Sequence, residues 1–189
     1  FNNGAMASGF GGSLKFISKS TASSSSSVDI TSGIDSTYKE YIFMFNNIHP
    51  SNDDITFHFQ ANASGGSGFN ETITSTQFRA THGEDGSSDA VSYLSGADQA
   101  NGTSYQLLAG SIGSDNDQGV SGYLHIFNPA STTFVTNFIG VFQSIAHSNR
   151  CNTQNVAGYF NTTSAITQFS FKFSSGTVDS GDIILYGVN

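Results

Sequence analysis

Apolar and polar side chains alternate one by one through much of this chain, at the period of an extended strand rather than of a helix. In residues 166–173, Phe169, Phe171 and Phe173 fall on one face, and Gln168, Ser170 and Lys172 on the other. Ile55, Phe57 and Phe59 alternate with Thr56, His58 and Gln60 in the same way. A strand with one buried and one wet face requires this pattern. Comparable runs, separated by turn-forming residues, predict strands at 14–18, 25–30, 38–46, 54–61, 72–79, 104–108, 120–127, 133–142, 156–161, 166–173 and 183–187. Two runs read differently. Tyr41-Ile-Phe-Met-Phe45 and the stretch from Phe134 to Phe142 are apolar on both faces. Each therefore needs cover beyond its own partner sheet, from a long loop of the same chain or from a neighbouring subunit.

Between the runs, residues 47–53, which contain His49-Pro50, read as a hairpin turn, and so does Asn128-Pro-Ala-Ser131. Residues 80–101 are polar and rich in Gly and Asp, interrupted only by a short piece at 91–94, and predict a long surface loop. The serine run at 23–27 has the composition of a linker. Residues 1–12 are small and Gly-rich with two isolated Phe, the composition of a flexible N-terminal arm that orders by docking. Residues 13–189 then form one domain, an antiparallel, jelly-roll-like β-sandwich.

Composition supports the all-β reading. Gly, Ser, Thr and Asn make up 85 of the 189 residues, while Leu occurs six times and Phe seventeen. Helix-forming Leu, Glu and Lys are scarce, whereas Phe, Ile, Val, Tyr and Thr suit pleated surfaces. The net charge is −8, and the six basic residues Lys15, Lys19, Lys39, Arg79, Arg150 and Lys172 are scattered. Neither a nucleic-acid partner nor an anionic membrane surface is expected of such a chain. Cys151 stands alone, which excludes an intrachain disulfide and a cysteine-based zinc site. No apolar run has the length of a membrane helix, and no signal-peptide pattern is present. The first residue is Phe1 rather than Met, which points to processing or to further residues ahead of it.

Candidate chemistry is sparse. No nucleophile elbow or phosphate-cradling Gly motif occurs, Ala109-Gly-Ser-Ile-Gly113 being the nearest approach. His49, His58, His82, His125 and His147 never fall two or four residues apart. His82 with Glu84 and Asp85 could form a metal or acid/base cluster, with a solvated loop as the plainer reading. His125 shares a face with Tyr123 and Phe127 and reads as a packed histidine. Asp115-Asn-Asp-Gln-Gly119 has alternating oxygen ligands before a Gly, as calcium loops do, yet lacks the distal Glu and is equally a tight turn. Sequons at Asn62, Asn70, Asn101 and Asn161 follow from composition. Tyr93, Tyr105 and Tyr159 could stack on sugars, although Trp, the usual platform, is absent. The expectation is therefore no catalytic residues, no metal ligands and no cofactor.

The segments Thr21-Ala-Ser-Ser-Ser-Ser-Ser-Val-Asp-Ile30 and Gly33-Ile-Asp-Ser-Thr-Tyr38 resemble a widespread family of phage and prophage structural proteins. Members often occur in marine and cyanobacterial phages. The likeness continues through Asn46-Asn-Ile-His-Pro50, Phe127-Asn-Pro-Ala-Ser-Thr-Thr-Phe134, Val156-Ala-Gly-Tyr-Phe-Asn-Thr-Thr-Ser-Ala-Ile166 and the closing Leu185-Tyr-Gly-Val188. It leaves out residues 1–12 and the loop around Arg150-Cys151, and it makes the serine run the entry to a strand. The resemblance implies a non-enzymatic virion component, assembled in the bacterial host cytoplasm. A capsid decoration (cement) protein docking on shell subunits is the first expectation, and a carbohydrate-binding tail fibre or spike domain the second. Partners would be major capsid or tail and vertex proteins. The doubly apolar strands and the symmetry of phage assemblies make a homotrimer the expected oligomer.

Overall fold

The alternating runs become thirteen antiparallel strands in a computed structural model that describes residues 13–189. The arm expected at 1–12 lies outside the described residues. In chain order the strands are β1 (Leu14–Thr21), β2 (Val28–Ile30), β3 (Glu40–Pro50), β4 (Ile55–Ala63), β5 (Ile73–Gly83), β6 (Ala90–Tyr93), β7 (Ala100–Gly102), β8 (Gln106–Ile112), β9 (Val120–Phe127), β10 (Thr136–Ala146), β11 (Arg150–Phe160), β12 (Ile166–Phe173) and β13 (Val178–Val188). A short 3-10 turn, Ser95–Ala97, separates β6 from β7.

Seven strands lie side by side in the order β1-β13-β3-β9-β10-β11-β5, and the short β6 and β7 flank β5. A second layer runs β8-β4-β12-β2. The layers join where Ala146 of β10 pairs with Ile112 of β8, so one sheet folds over on itself. This is the expected class, an antiparallel β-sandwich.

Phenylalanine fills the space between the layers. Phe43 and Phe45 of β3 and Phe138 and Phe142 of β10 point inward from the first layer. Phe57 and Phe59 of β4 and Phe169 and Phe171 of β12 point inward from the second. Phe45 meets Phe57 edge to face at 5.7 Å and Phe171 at 5.1 Å, and Phe59 meets Phe138 at 5.1 Å. Edge-to-face rings at these separations add roughly 0.5–1.5 kcal/mol each beyond the area they bury. Gly122 of β9 is needed for this packing, because a Cβ there would stand 2.3 Å from the Val141 carbonyl oxygen.

The strand boundaries depart from the expected ones where backbone pairing, rather than side-chain pattern, decides. The turn expected at 47–53 begins later. β3 runs on to Pro50 through a bulge, with Asn47 at φ 49° and the β9 register shifting between Phe45 and Ile48. The long loop expected at 80–101 is largely a hairpin flank. β11 starts at Arg150, earlier than the expected 156, and pairs with β5 along its whole length from Gly83 to Ile73. Extended in this way, β5 also carries β6, with Phe78 opposite Tyr93. Of the serine run, Ser25 pairs with Val178 as an isolated bridge, and β2 proper begins at Val28. Phe134, expected in a strand, precedes β10 and is 70% exposed.

The Gly33–Tyr38 segment has a packing role. Ile34 is buried, and the Asp35 carboxylate accepts from the Thr37 backbone N–H at 2.7 Å. The buried Tyr41 hydroxyl accepts from the Asp35 N–H at 3.0 Å and donates to the Asp35 carbonyl at 2.9 Å. These bonds pin the loop between β2 and β3 to the sheet. Tyr41→Phe would strand both Asp35 backbone groups, so its unfolding free energy in urea is expected to fall by about 1–3 kcal/mol. An unchanged midpoint would show that the loop is held by other contacts.

Candidate functional site: the outer face of the large sheet layer

The polar residues singled out by pattern do not converge. His82 pairs with the Asp89 carboxylate, while Asp85 turns back to accept from the Ser87 N–H at 2.9 Å. That Ser87 contact holds the exposed Asp85 carboxyl below its ordinary range. No group of three or more His, Cys, Asp or Glu side chains with metal-holding geometry exists among the described residues. Asp115–Gly119 is the turn between β8 and β9. The Gln118 N–H donates to the Asp115 carbonyl at 2.8 Å, and the Gln118 side chain accepts from the Asp115 N–H at 3.2 Å. The three tyrosines are likewise dispersed. Tyr105 donates to Ser170 of the second layer at 3.1 Å. Tyr93 and Tyr159 belong to the first layer, opposite Phe78 and Thr74, four positions apart along β5. Of the sequon residues, Asn62 is buried with its amide on Gln168, and Cys151 is exposed.

What the fold does bring together is apolar. On the outer face of the first layer, cross-strand registers align side chains into rows. One row reads Leu14, Val188, Glu40, Phe127, Asn137, Tyr159, Thr74. The next reads Phe16, Tyr186, Ile42, His125, Ile139, Ala157, Thr76. A third reads Lys19, Ile184, Met44, Tyr123, Val141, Asn155, Phe78 and ends on Tyr93. Phe16 is 64% exposed, Ile139 48%, Tyr123 42% and Met44 38%. The doubly apolar strands β3 and β10 thus bury one face in the core and leave the other without cover among the described residues. A trough of about 570 Å³ crosses the face at the β11–β5 side, floored by Ala157 and Gly158 and walled by Ile139 and Tyr159.

His125, in the middle of these rows, has its Nε2 3.0 Å from a Glu40 carboxylate oxygen and its ring against Phe127. It is the packed, partnered histidine that its position in the strand predicts. No family model matches the chain, and no curated protein or solved structure matches it. The apolar face is therefore described from its own geometry. No helix among the described residues is long and apolar enough to cross a membrane.

The outer face of the second layer has the opposite character. Ser170 donates to Asp29 at 2.6 Å, and the Lys172 ammonium lies 4.0 Å above the Tyr105 ring. His58 stands opposite Lys172 in the β4–β12 register, with Nε2 2.6 Å from the Thr56 hydroxyl oxygen. Burial, and after it repulsion from Lys172, pushes the His58 pKa down to about 4 from 6.5. Because the folded-state value lies below the unfolded one, the unfolded chain takes up this proton first on acidification. The contribution is complete above about pH 6.5 and is lost progressively toward pH 4, by up to about 3 kcal/mol. Asp35 and Asp182, whose carboxyls are held below their ordinary 3.8, act only at lower pH. Urea midpoints taken from neutral pH to pH 4.5 are expected to fall for the wild type and to fall less for His58→Gln. Parallel pH profiles for the two proteins would refute this role of His58.

Proposed function

We propose that this chain is a non-enzymatic structural component of a bacteriophage particle, a capsid decoration or cement protein that acts by adhesion. The observation that carries the reading is the contrast between the sandwich's two outer faces. One is polar and internally bonded, with the buried Ser170 hydroxyl held between Tyr105 and Asp29 and the Lys172 ammonium over the Tyr105 ring. The other presents Phe16, Met44, Tyr123 and Ile139 to solvent in aligned rows. Contiguous apolar patches beyond a few hundred Å² mark surfaces that meet other macromolecules. The resemblance of the Gly33–Tyr38, Phe127–Phe134 and Leu185–Val188 segments to phage structural proteins supplies the biological setting.

The mechanism is mechanical. A Phe-packed sandwich holds seven strands rigid, so the apolar rows are presented preorganised and little side-chain or backbone freedom is lost on docking. Polar groups at the rim, such as Glu40, Asn137 and Asn155, fix the register of the contact. Quantitative mass spectrometry of purified particles is the test. A cement protein is expected in hundreds of copies per particle. A count in the tens would favour a fibre or spike, and absence from purified particles would overturn the structural role.

A further inference from the structure

We infer that the apolar outer face of the first layer closes on a second copy of this chain, about a two-fold axis running along β9. This rests on the reading of that face as the docking surface and names its occupant in the free protein, which a shell subunit would displace on docking. Strand β9 is the middle one of the seven, with β1, β13 and β3 on one side and β10, β11 and β5 on the other.

An axis along β9 lays each strand of one copy over its mirror position in the other. β13 then faces β11, and β1 faces β5. In the central row this brings Tyr186 and Phe16 of one copy over Ala157 and Thr76 of the other. The large rings of one wing thus meet the trough of the other wing, and the same fit recurs by symmetry on the opposite side. Nearer the axis, Ile42 faces Ile139 and Met44 faces Val141, apolar against apolar. Glu40 faces the Asn137 amide, which can donate to the carboxylate. Tyr123, His125 and Phe127 lie on the axis and face their own counterparts.

Charge and area agree with this pairing. The chain carries a net charge of −8, yet Lys19 and Glu40 are the sole formally charged residues in the three rows. Two copies meet there without the like-charge repulsion that their remaining surfaces would impose. Seven strands about 4.8 Å apart and three rows about 7 Å apart span roughly 30 by 20 Å. With side-chain relief, that area is of the order of the ~800 Å² that each partner gives to a standard interface. Sheets stacked in this way follow the aligned packing of β-sandwiches. The result is a two-fold pair, in contrast to the trimer expected from the symmetry of particle decorations.

Sedimentation velocity of the full chain at micromolar concentration tests the pairing, and a dimer is expected. Ile139→Lys should weaken association by roughly a hundredfold, to a monomer with wild-type circular dichroism. Tyr123→Lys provides the same reading should Ile139→Lys fold poorly. In a Cys151→Ser background, His125→Cys should link into a dimer with a bismaleimide spanning about 10 Å, the spacing of stacked sheets. Ser164→Cys, in the loop ahead of β12, should not. A monomeric wild type would overturn the inference, while retained binding to particles would leave the docking reading standing. A trimer, dimers indifferent to both lysine variants, or failure of His125→Cys to crosslink would each overturn the two-fold pairing.

Discussion

The structure depends on Phe171 and the rings around it. Phe171 projects from β12 into the gap between the layers and touches rings from both. Its centroid lies 5.1 Å from Phe43 and 5.1 Å from Phe45 on the first layer, and 6.3 Å from Phe57 beside it on the second. Phe45 extends the cluster to Phe142, and Phe59 extends it to Phe138 and Phe160. Backbone pairing joins the two layers only at their margins, where Ala146 of β10 meets Ile112 of β8 and Ser25 ahead of β2 bridges Val178 of β13, so the aromatic stratum supplies the cohesion between them. Few leucines and many glycines are compatible with a stable core only because rings of this size fill it.

That inner constraint dictates the outer surface. A residue-by-residue alternation that delivers Tyr41, Phe43 and Phe45 to the core turns Ile42 and Met44 outward. In the second layer the alternate positions are Thr56, His58, Ser170 and Lys172, of which Thr56 pairs with His58, Ser170 with Tyr105 and Asp29, and Lys172 with the Tyr105 ring. In the first layer they are largely apolar. The acidic residues lie elsewhere, Glu40 being the one acid in the three aligned rows. The adhesive role proposed for this face needs nothing beyond that asymmetry.

Much of this was legible in the chain because period two is a strong signal wherever one face is buried. The Phe169-Phe171-Phe173 register and the two-sided apolarity of β3 and β10 are both visible in the residue pattern itself. The boundaries of β5 and β11 are not. Thr81, Arg150 and Asn152 lie in paired strands because a long neighbour satisfies their backbone groups, a property that side-chain polarity does not encode. Buried amides were also missed. Gln77 donates to the Leu108 carbonyl at 3.3 Å, Gln106 accepts from Ser75 at 2.6 Å, and Gln154 accepts from the Gly110 N–H at 2.6 Å. All three sit in phase with apolar core positions of their own strands, and that phase was the signal. The alignment of outward residues into rows depended on strand order, which pattern alone does not supply.

The central claim is that one aromatic stratum, rather than backbone pairing, locks the two layers together. A double-mutant cycle between Phe45→Leu and Phe171→Leu, read by urea denaturation, addresses it most directly. The residues belong to different layers and meet at 5.1 Å. The account predicts that the two losses are not additive, with a coupling of about 0.5–1.5 kcal/mol. Strict additivity, with each variant costing the same in the presence or absence of the other, would contradict it.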